Sequence, residues 1–79
     1  MRVASKRERR AISEAFGKRL DAILTRRNIS NSELARRIGC SDGYVWQLRH
    51  GRSAPTIVTL YYVKKAIGNI SWKELLGGP

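Results

Sequence analysis

Lysine and arginine side chains are the most abundant chemically active groups in this 79-residue sequence. Sixteen of them stand against six aspartates and glutamates, which gives a formal net charge of +10 at pH 7. Nine of the sixteen lie within residues 1–27, together with only three acidic side chains. Because so strong a positive field attracts polyanions, the composition favours nucleic acid or an anionic surface as the partner.

The residues that other kinds of site require are scarce. The six carboxylates are scattered, no nucleophile accompanies a histidine and an acid, and no glycine-rich phosphate loop occurs, so an enzyme is not expected. Cys40 and His50 are the only residues of their types, which excludes an internal disulfide and a histidine–cysteine zinc site. No apolar run is long enough to span a membrane. We expect one soluble domain that uses no cofactor and no metal.

Residues 1–12 are predicted to form a basic N-terminal arm. Ser5 and Glu8 have the spacing of a helix capping box, but the segment lacks an apolar face, and we predict that it is mobile. Its cations are typical of a solvated tail, yet beside a DNA-binding fold they are equally suited to phosphates or a minor groove. They are Arg2, Lys6, Arg7, Arg9 and Arg10.

The rest of the chain has apolar residues at helical spacing and no segment that alternates as a strand does. Hydroxyl residues that can cap helices, and glycines that can end them, divide it into five predicted helices; the predicted caps of the last four are Ser30, Ser41, Thr56 and Ser71. Glu33 and Glu74 have the spacing to bond back to Ser30 and Ser71 and complete capping boxes. These run from about Ser13 to Arg27, from a cap at Ser30 to Ile38, from Asp42 to His50, from Ile57 to Ile67, and over a short segment around Trp72, Leu75 and Leu76, followed by a tail at 77–79. The predicted fold class is all-α.

The second and third predicted helices are short and separated by a tight turn, which describes a helix-turn-helix. Ala35 is small enough for the two helices to pack closely, and Gly39 allows the backbone to reverse. Val45 is β-branched and apolar, and it fills the wedge between the helices. The third helix then projects its N-terminal turn outward, where it can enter a major groove.

At this point the sequence resembles a known family. The segment SELARRIGCSDGYVWQLRHGRSAPT is similar to the helix-turn-helix of Cro/cI-type phage repressors, also called the XRE family. The family pattern falls on Ala35, Gly39, Val45, Gly51 and Pro55, and the five-helix layout extends the resemblance over residues 13 to 76. It implies a compact lambda-repressor-like domain that binds specific DNA sequences, usually as a dimer on a palindrome.

The resemblance also implies which residues contact bases. The outward positions of the recognition helix are Asp42, Gly43, Tyr44 and Gln47. Gln47 is the best candidate, because its amide can bond adenine N6 and N7 together. Tyr44 can touch a thymine methyl or a phosphate, Asp42 can accept from cytosine N4 or orient an arginine, and Gly43 permits close backbone approach.

Phosphate contacts are implied at Asn31, which begins the second helix, and at Arg52 and Ser53, which follow the third. Arg36 adds to the positive field. The family often has a glutamate at the position of Arg49, paired with an arginine at the position of Leu24, and both are replaced here. Arg49 is therefore either a partner of Asp21, one turn before Leu24, or a free cation that faces DNA.

Other notable side chains have structural interpretations. Ile12, Phe16, Leu20, Ile23 and Leu24 form one apolar stripe, and Cys40 is expected to fill space behind the turn. Trp46 is expected to cover the domain edge rather than contact a base, and His50 suits the C-terminal end of a helix. The fourth helix is apolar nearly all round. Residues expected in the core or in a dimer interface are Tyr61, Tyr62, Trp72, Leu75 and Leu76.

We therefore predict a sequence-specific, double-stranded-DNA-binding transcriptional regulator, a repressor of phage or prophage type that is a homodimer at least on DNA. It is expected in the cytoplasm, associated with the nucleoid. The alternative is an antitoxin-like or coactivator-like interaction module of the same fold, whose main task is to hold a protein partner.

Overall fold

The computed structural model describes residues 5–77, and within that range the chain forms five α-helices and no strand. The helices are α1 (Lys6–Arg26), α2 (Asn31–Ile38), α3 (Asp42–Arg49), α4 (Ile57–Ile67) and α5 (Trp72–Leu76). The predicted all-α, five-helix architecture is confirmed. None of these helices is both long enough and apolar enough to cross a membrane.

The first helix begins earlier than its sequence pattern indicated. The Ser5 hydroxyl accepts from the Glu8 backbone N–H, and the Glu8 carboxylate accepts from the Ser5 backbone N–H, both at 3.1 Å. The predicted start near Ser13 is therefore wrong, because a complete capping box starts α1 at Lys6 without an apolar face. Arg7, Arg9 and Arg10 lie on this helix and not on a mobile arm, whereas Arg2 lies outside the described residues.

The other four helices begin where their caps were predicted. In each, the hydroxyl of the capping residue accepts a 3.1 Å hydrogen bond from a backbone N–H three residues later; the caps are Ser30, Ser41, Thr56 and Ser71. The predicted return bonds at Ser30 and Ser71 are not present, because Glu33 binds Arg36 and Arg37, and Glu74 lies 3.5 Å from Arg26. Half a capping box is enough to begin these short helices.

The core unites all five helices around fully buried leucine and valine side chains: Leu20, Leu24, Leu34, Val45, Leu48, Val63 and Leu75. The predicted α1 stripe is correct except at its N-terminal end. Ile12 is 65% exposed, and Ser13 is buried in its place. The buried part of the stripe lies where α1 packs against α3 and α5.

Gly17 is the point of closest approach between α1 and α3. A Cβ atom on this residue would lie 2.6 Å from the Leu48 carbonyl oxygen and 2.7 Å from that of Arg49. A second close contact lies at Glu14, about one turn before Gly17 on α1: a Cβ on Gly51 would lie 2.7 Å from the Glu14 Cα. The C-terminal end of α3 is thus held directly against the backbone of α1, which fixes the direction in which α3 projects.

Candidate nucleic-acid interface

The turn between α2 and α3 has the geometry that the sequence predicted. Gly39 has a φ of 76°, and its N–H donates to the Ala35 carbonyl at 2.8 Å. Ala35 is almost fully buried, as is Val45 on the facing helix. Only residues 39–41 separate the two helices, so α3 is presented at a fixed angle to α2.

The outer side of α3 carries one continuous exposed face. Its members recur at helical spacing, whereas Val45 and Leu48 on the opposite side are fully buried. We call this surface the α3 face; it consists of Asp42, Gly43, Trp46, Gln47 and His50. Three of the four residues predicted to contact bases belong to it.

Gln47 is exposed and oriented by a neighbour. Its side-chain oxygen accepts a 2.9 Å hydrogen bond from the Ser53 hydroxyl. That oxygen retains a second lone pair, and the amide nitrogen can still donate, so bidentate pairing with an adenine edge remains available. Ser53 was predicted to contact a phosphate, but in this structure its hydroxyl proton is directed to Gln47.

Asp42 and Gly43 begin α3 and have different surroundings. The Asp42 carboxylate accepts a hydrogen bond from the Ser32 hydroxyl, which joins the first turns of α2 and α3. This bond gives a structural reason for an acidic residue on an otherwise basic protein. A Cβ on Gly43 would meet nothing closer than the Ser41 hydroxyl at 3.9 Å. Steric crowding within the described chain therefore does not require glycine at this position.

The two aromatic residues of α3 differ from expectation, because Tyr44 is more buried and Trp46 more exposed than the sequence indicated. Tyr44 is half-buried against the core, and its hydroxyl lies 3.4 Å from that of Thr59 on α4, so it does not lie on the α3 face as predicted. Trp46 is 44% exposed, and its ring stacks on His50 with centroids 4.0 Å apart. Sequence reasoning placed Trp46 at the domain edge, although its spacing from Asp42 and His50 is that of one helical face.

Arg49 connects three helices and is not a free cation. Its Nε donates to the Asp21 carboxylate at 2.9 Å, and another guanidinium nitrogen donates to the Asn31 side-chain oxygen at 2.8 Å. The side chain is only 18% exposed. Of the two alternatives that the sequence left open, the pairing with Asp21 is the one present, and it replaces the ion pair that the family resemblance implied.

The remaining predicted phosphate contacts lie on two sides of α3. Asn31 stands at the start of α2, beside Asp42 and Trp46 in a shallow groove. Arg36 is largely exposed and pairs with Glu33, whose pKa this hydrogen bond lowers. Arg52 is exposed beyond the C-terminal end of α3, where it shares a groove with Arg9 and Arg10 of α1.

Cys40 has the role that the sequence suggested. Its side chain packs against the core behind the α2–α3 turn, and burial raises the pKa of the thiol. A raised pKa keeps the thiol protonated and poorly nucleophilic. Within residues 5–77, no three histidine, cysteine or acidic side chains are grouped so that they could hold a metal ion.

Comparison with known proteins returned no match to a family model, to a curated protein or to a solved structure. The features of this chain that bear on function are the α3 face, the hydrogen bonds that orient it and the distribution of charge around it.

Proposed function

We propose that this protein is a sequence-specific, double-stranded-DNA-binding regulator of Cro/cI helix-turn-helix type, a repressor of phage or prophage origin. The observation that carries the proposal is the α3 face. It exposes an oriented amide, a glycine and an aromatic ring on a helix whose other side is anchored to the core and to α1.

The dimensions of the helix suit a DNA groove. An α-helix with its side chains is about 10–12 Å across, and the major groove of B-DNA is about 12 Å wide. With α3 in the groove, Gln47 reads an adenine, Asp42 is placed to accept from a cytosine, and Trp46 supplies an apolar surface for a thymine methyl. Asn31, Arg36 and Arg52 are placed to bind phosphates on either side.

Gly43→Ala separates this proposal from a purely structural role for the glycine. Because the added methyl has free space and alanine favours helix, the free energy of unfolding should rise by about 0.5 kcal/mol. If a base pair approaches the Gly43 backbone, the same methyl should weaken DNA binding about tenfold, the scale of an overpacked contact. Urea unfolding and equilibrium titration of duplex DNA measure the two effects. An affinity that is unchanged or improved would contradict close approach at Gly43.

A second copy of the chain is the proposed protein partner. Of the residues expected in the core or in a dimer interface, only Leu75 is buried; the other four, Tyr61, Tyr62, Trp72 and Leu76, are 43–57% exposed. Ile57 and Val58 add two exposed apolar side chains on α4, and Ile12 of α1 lines an apolar groove together with Leu76. We call these seven exposed side chains, six on α4 and α5 and one on α1, the α4–α5 surface. An apolar patch of more than a few hundred Å² is uncommon on a monomeric protein and marks an interaction surface.

The size of this surface supports a weak dimer that DNA completes. A stable interface covers about 800 Å² on each partner. A half-exposed aromatic side chain contributes about 100 Å², so the seven side chains of the α4–α5 surface together expose an area close to that of one side of a stable interface. Two copies bound to adjacent half-sites gain the remaining affinity from their high effective concentration.

Tyr61→Asp tests the dimer, because it places a charge in the middle of the proposed interface. We expect self-association, measured by sedimentation equilibrium, to be lost, and cooperative binding to a two-site duplex to disappear while single-site affinity changes little. Trp46→Gln is the matched control, since it removes an exposed aromatic side chain from the α3 face and should leave self-association intact. Self-association that survives Tyr61→Asp would contradict this interface.

The same surface is the specific observation that favours the second candidate function. An antitoxin-like or coactivator-like module would use it to bind a different protein. In that case Trp72 and Tyr62 substitutions would abolish the partner complex, and substitutions of Gln47 and Asn31 would have no effect on function.

A further inference from the structure

A basic groove lies beyond the C-terminal end of α3. Lys6, Arg9 and Arg10 line it from the first two turns of α1, and His50 and Arg52 line it from the segment after α3. The one acidic residue on its walls is Glu14. Five side chains that are cationic or can become so therefore converge from two elements distant in sequence.

The cations of this groove are held in place by the backbone. The capping box of Ser5 and Glu8 fixes the first turn of α1, and Gly51 packs against the Glu14 backbone at the inner end of the groove. The groove opens where α1 extends past α3, so its position relative to the α3 face is set by the fold. A flexible arm would have to lose backbone conformational entropy to bind, whereas the backbone of this helix is already ordered and only its side chains lose freedom.

We infer that the groove binds one phosphodiester strand of duplex DNA flanking the base pairs read by α3. The inference rests on the proposed function. It also selects between the two roles expected of Arg9 and Arg10, which were contact with phosphates or with a minor groove. A helix about 10–12 Å across does not enter a minor groove about 6 Å wide, so these side chains bind the backbone.

The basic groove and Asn31 lie at opposite ends of α3. The eight residues of α3 span about 12 Å. Asn31 lies beside Asp42 at the first turn, and the basic groove lies past the last turn. The two positions therefore suit different phosphates, on either side of the base pairs that α3 contacts.

The test is the salt dependence of DNA binding by Arg10→Gln/Arg52→Gln. Each lost phosphate contact lowers the slope of log K against log salt by about 0.9, so the double variant should lose about 1.8. Its affinity deficit should be largest at low salt and should shrink roughly tenfold between about 50 and 200 mM. The control, Lys65→Gln/Lys73→Gln, removes the same charge from exposed positions on α4 and α5 and should keep nearly the full slope.

The outcomes separate the inference from the proposed function. If the wild-type protein binds duplex DNA but both double variants lose the same slope, the groove is no special contact and the inference is overturned. If the wild-type protein binds no duplex, the proposed function itself fails. A slope loss seen on duplex RNA but not on duplex DNA would overturn the inference in favour of RNA.

Ethylation interference supplies the second measurement. With wild-type protein, modification of phosphates flanking the half-site should block binding. With Arg10→Gln/Arg52→Gln, the same modifications should cease to matter, while guanine and adenine contacts under α3 persist. An unchanged phosphate pattern would overturn the inference even if the affinity falls.

Discussion

Gly17→Ala is expected to lower the free energy of unfolding by about 2 kcal/mol, although alanine is the better helix former by about 1 kcal/mol. The new Cβ would lie 2.6 and 2.7 Å from the carbonyl oxygens of Leu48 and Arg49. Both are backbone atoms in the last turns of α3, so the clash is relieved only if α1 and α3 separate. In a domain of this size, which is stable by a few kcal/mol, such a loss is severe.

Thermal unfolding measures the effect, and the expected fall in Tm is roughly 10 °C. Gly43→Ala is the matched control, because it makes the same substitution in a helix where the methyl has room. The two variants should move Tm in opposite directions. A Tm for Gly17→Ala at or above the wild-type value would show that α1 and α3 do not approach as closely as described.

Gln47→Ala is expected to weaken binding to the preferred DNA sequence about ten- to hundredfold, which corresponds to the 1–3 kcal/mol of a bidentate base contact. Because the side chain is exposed, the free energy of unfolding should change little. Binding to unrelated sequences should also change little, since that binding depends on phosphate contacts. The ratio of cognate to random affinity should therefore fall by nearly the same factor as the cognate affinity.

Competition titrations with cognate and random duplexes measure this difference. Ser53→Ala is the graded control, because it removes the hydroxyl that orients the Gln47 amide but leaves the amide in place. Its loss on the cognate sequence should be smaller than that of Gln47→Ala. Equal losses of Gln47→Ala on both duplexes would contradict base recognition by this residue.

The elements that depend on local sequence were predictable. Four of the five helices begin at a serine or threonine cap as expected, because the capping hydrogen bond is made within four residues. The start of α1 was wrong because it was predicted from the apolar stripe, which begins at Ile12. The capping box at Ser5 and Glu8 begins the helix earlier, at Lys6. Local capping outweighed the missing apolar face.

Which side chains of the site are exposed was predictable where exposure depends on position along one helix. It was less predictable where exposure depends on contacts between helices. The family resemblance implied that Gln47, Asp42 and Gly43 face outward, and all three are exposed. Tyr44 was assigned outward as well, because only the position of Thr59 on α4 reveals that its hydroxyl is directed there. The partial burial of Tyr44 is thus a tertiary effect, whereas the exposure of Trp46 follows from its spacing along α3.

Opposite charges predicted a contact between residues distant in sequence, whereas the apolar pattern did not predict how distant segments pack. Arg49 stands where the family that the sequence resembles often has a glutamate, and this suggested Asp21 as its partner, because opposite charges one helical turn from the expected pair can still meet. No comparable rule indicated that Arg52 would share a groove with Arg9 and Arg10. That groove depends on how far α1 extends past α3, which the apolar pattern did not predict.

Selection from a random duplex library at about 150 mM salt, where non-specific binding is largely suppressed, tests the central claim most directly. The wild-type protein is expected to enrich a palindrome whose half-sites are one helical turn, about 34 Å, apart, with an adenine at the position read by Gln47. A parallel selection with Gln47→Ala should lose the preference at that position and keep the others. Recovery of no shared sequence by the wild-type protein would contradict the claim that α3 reads DNA.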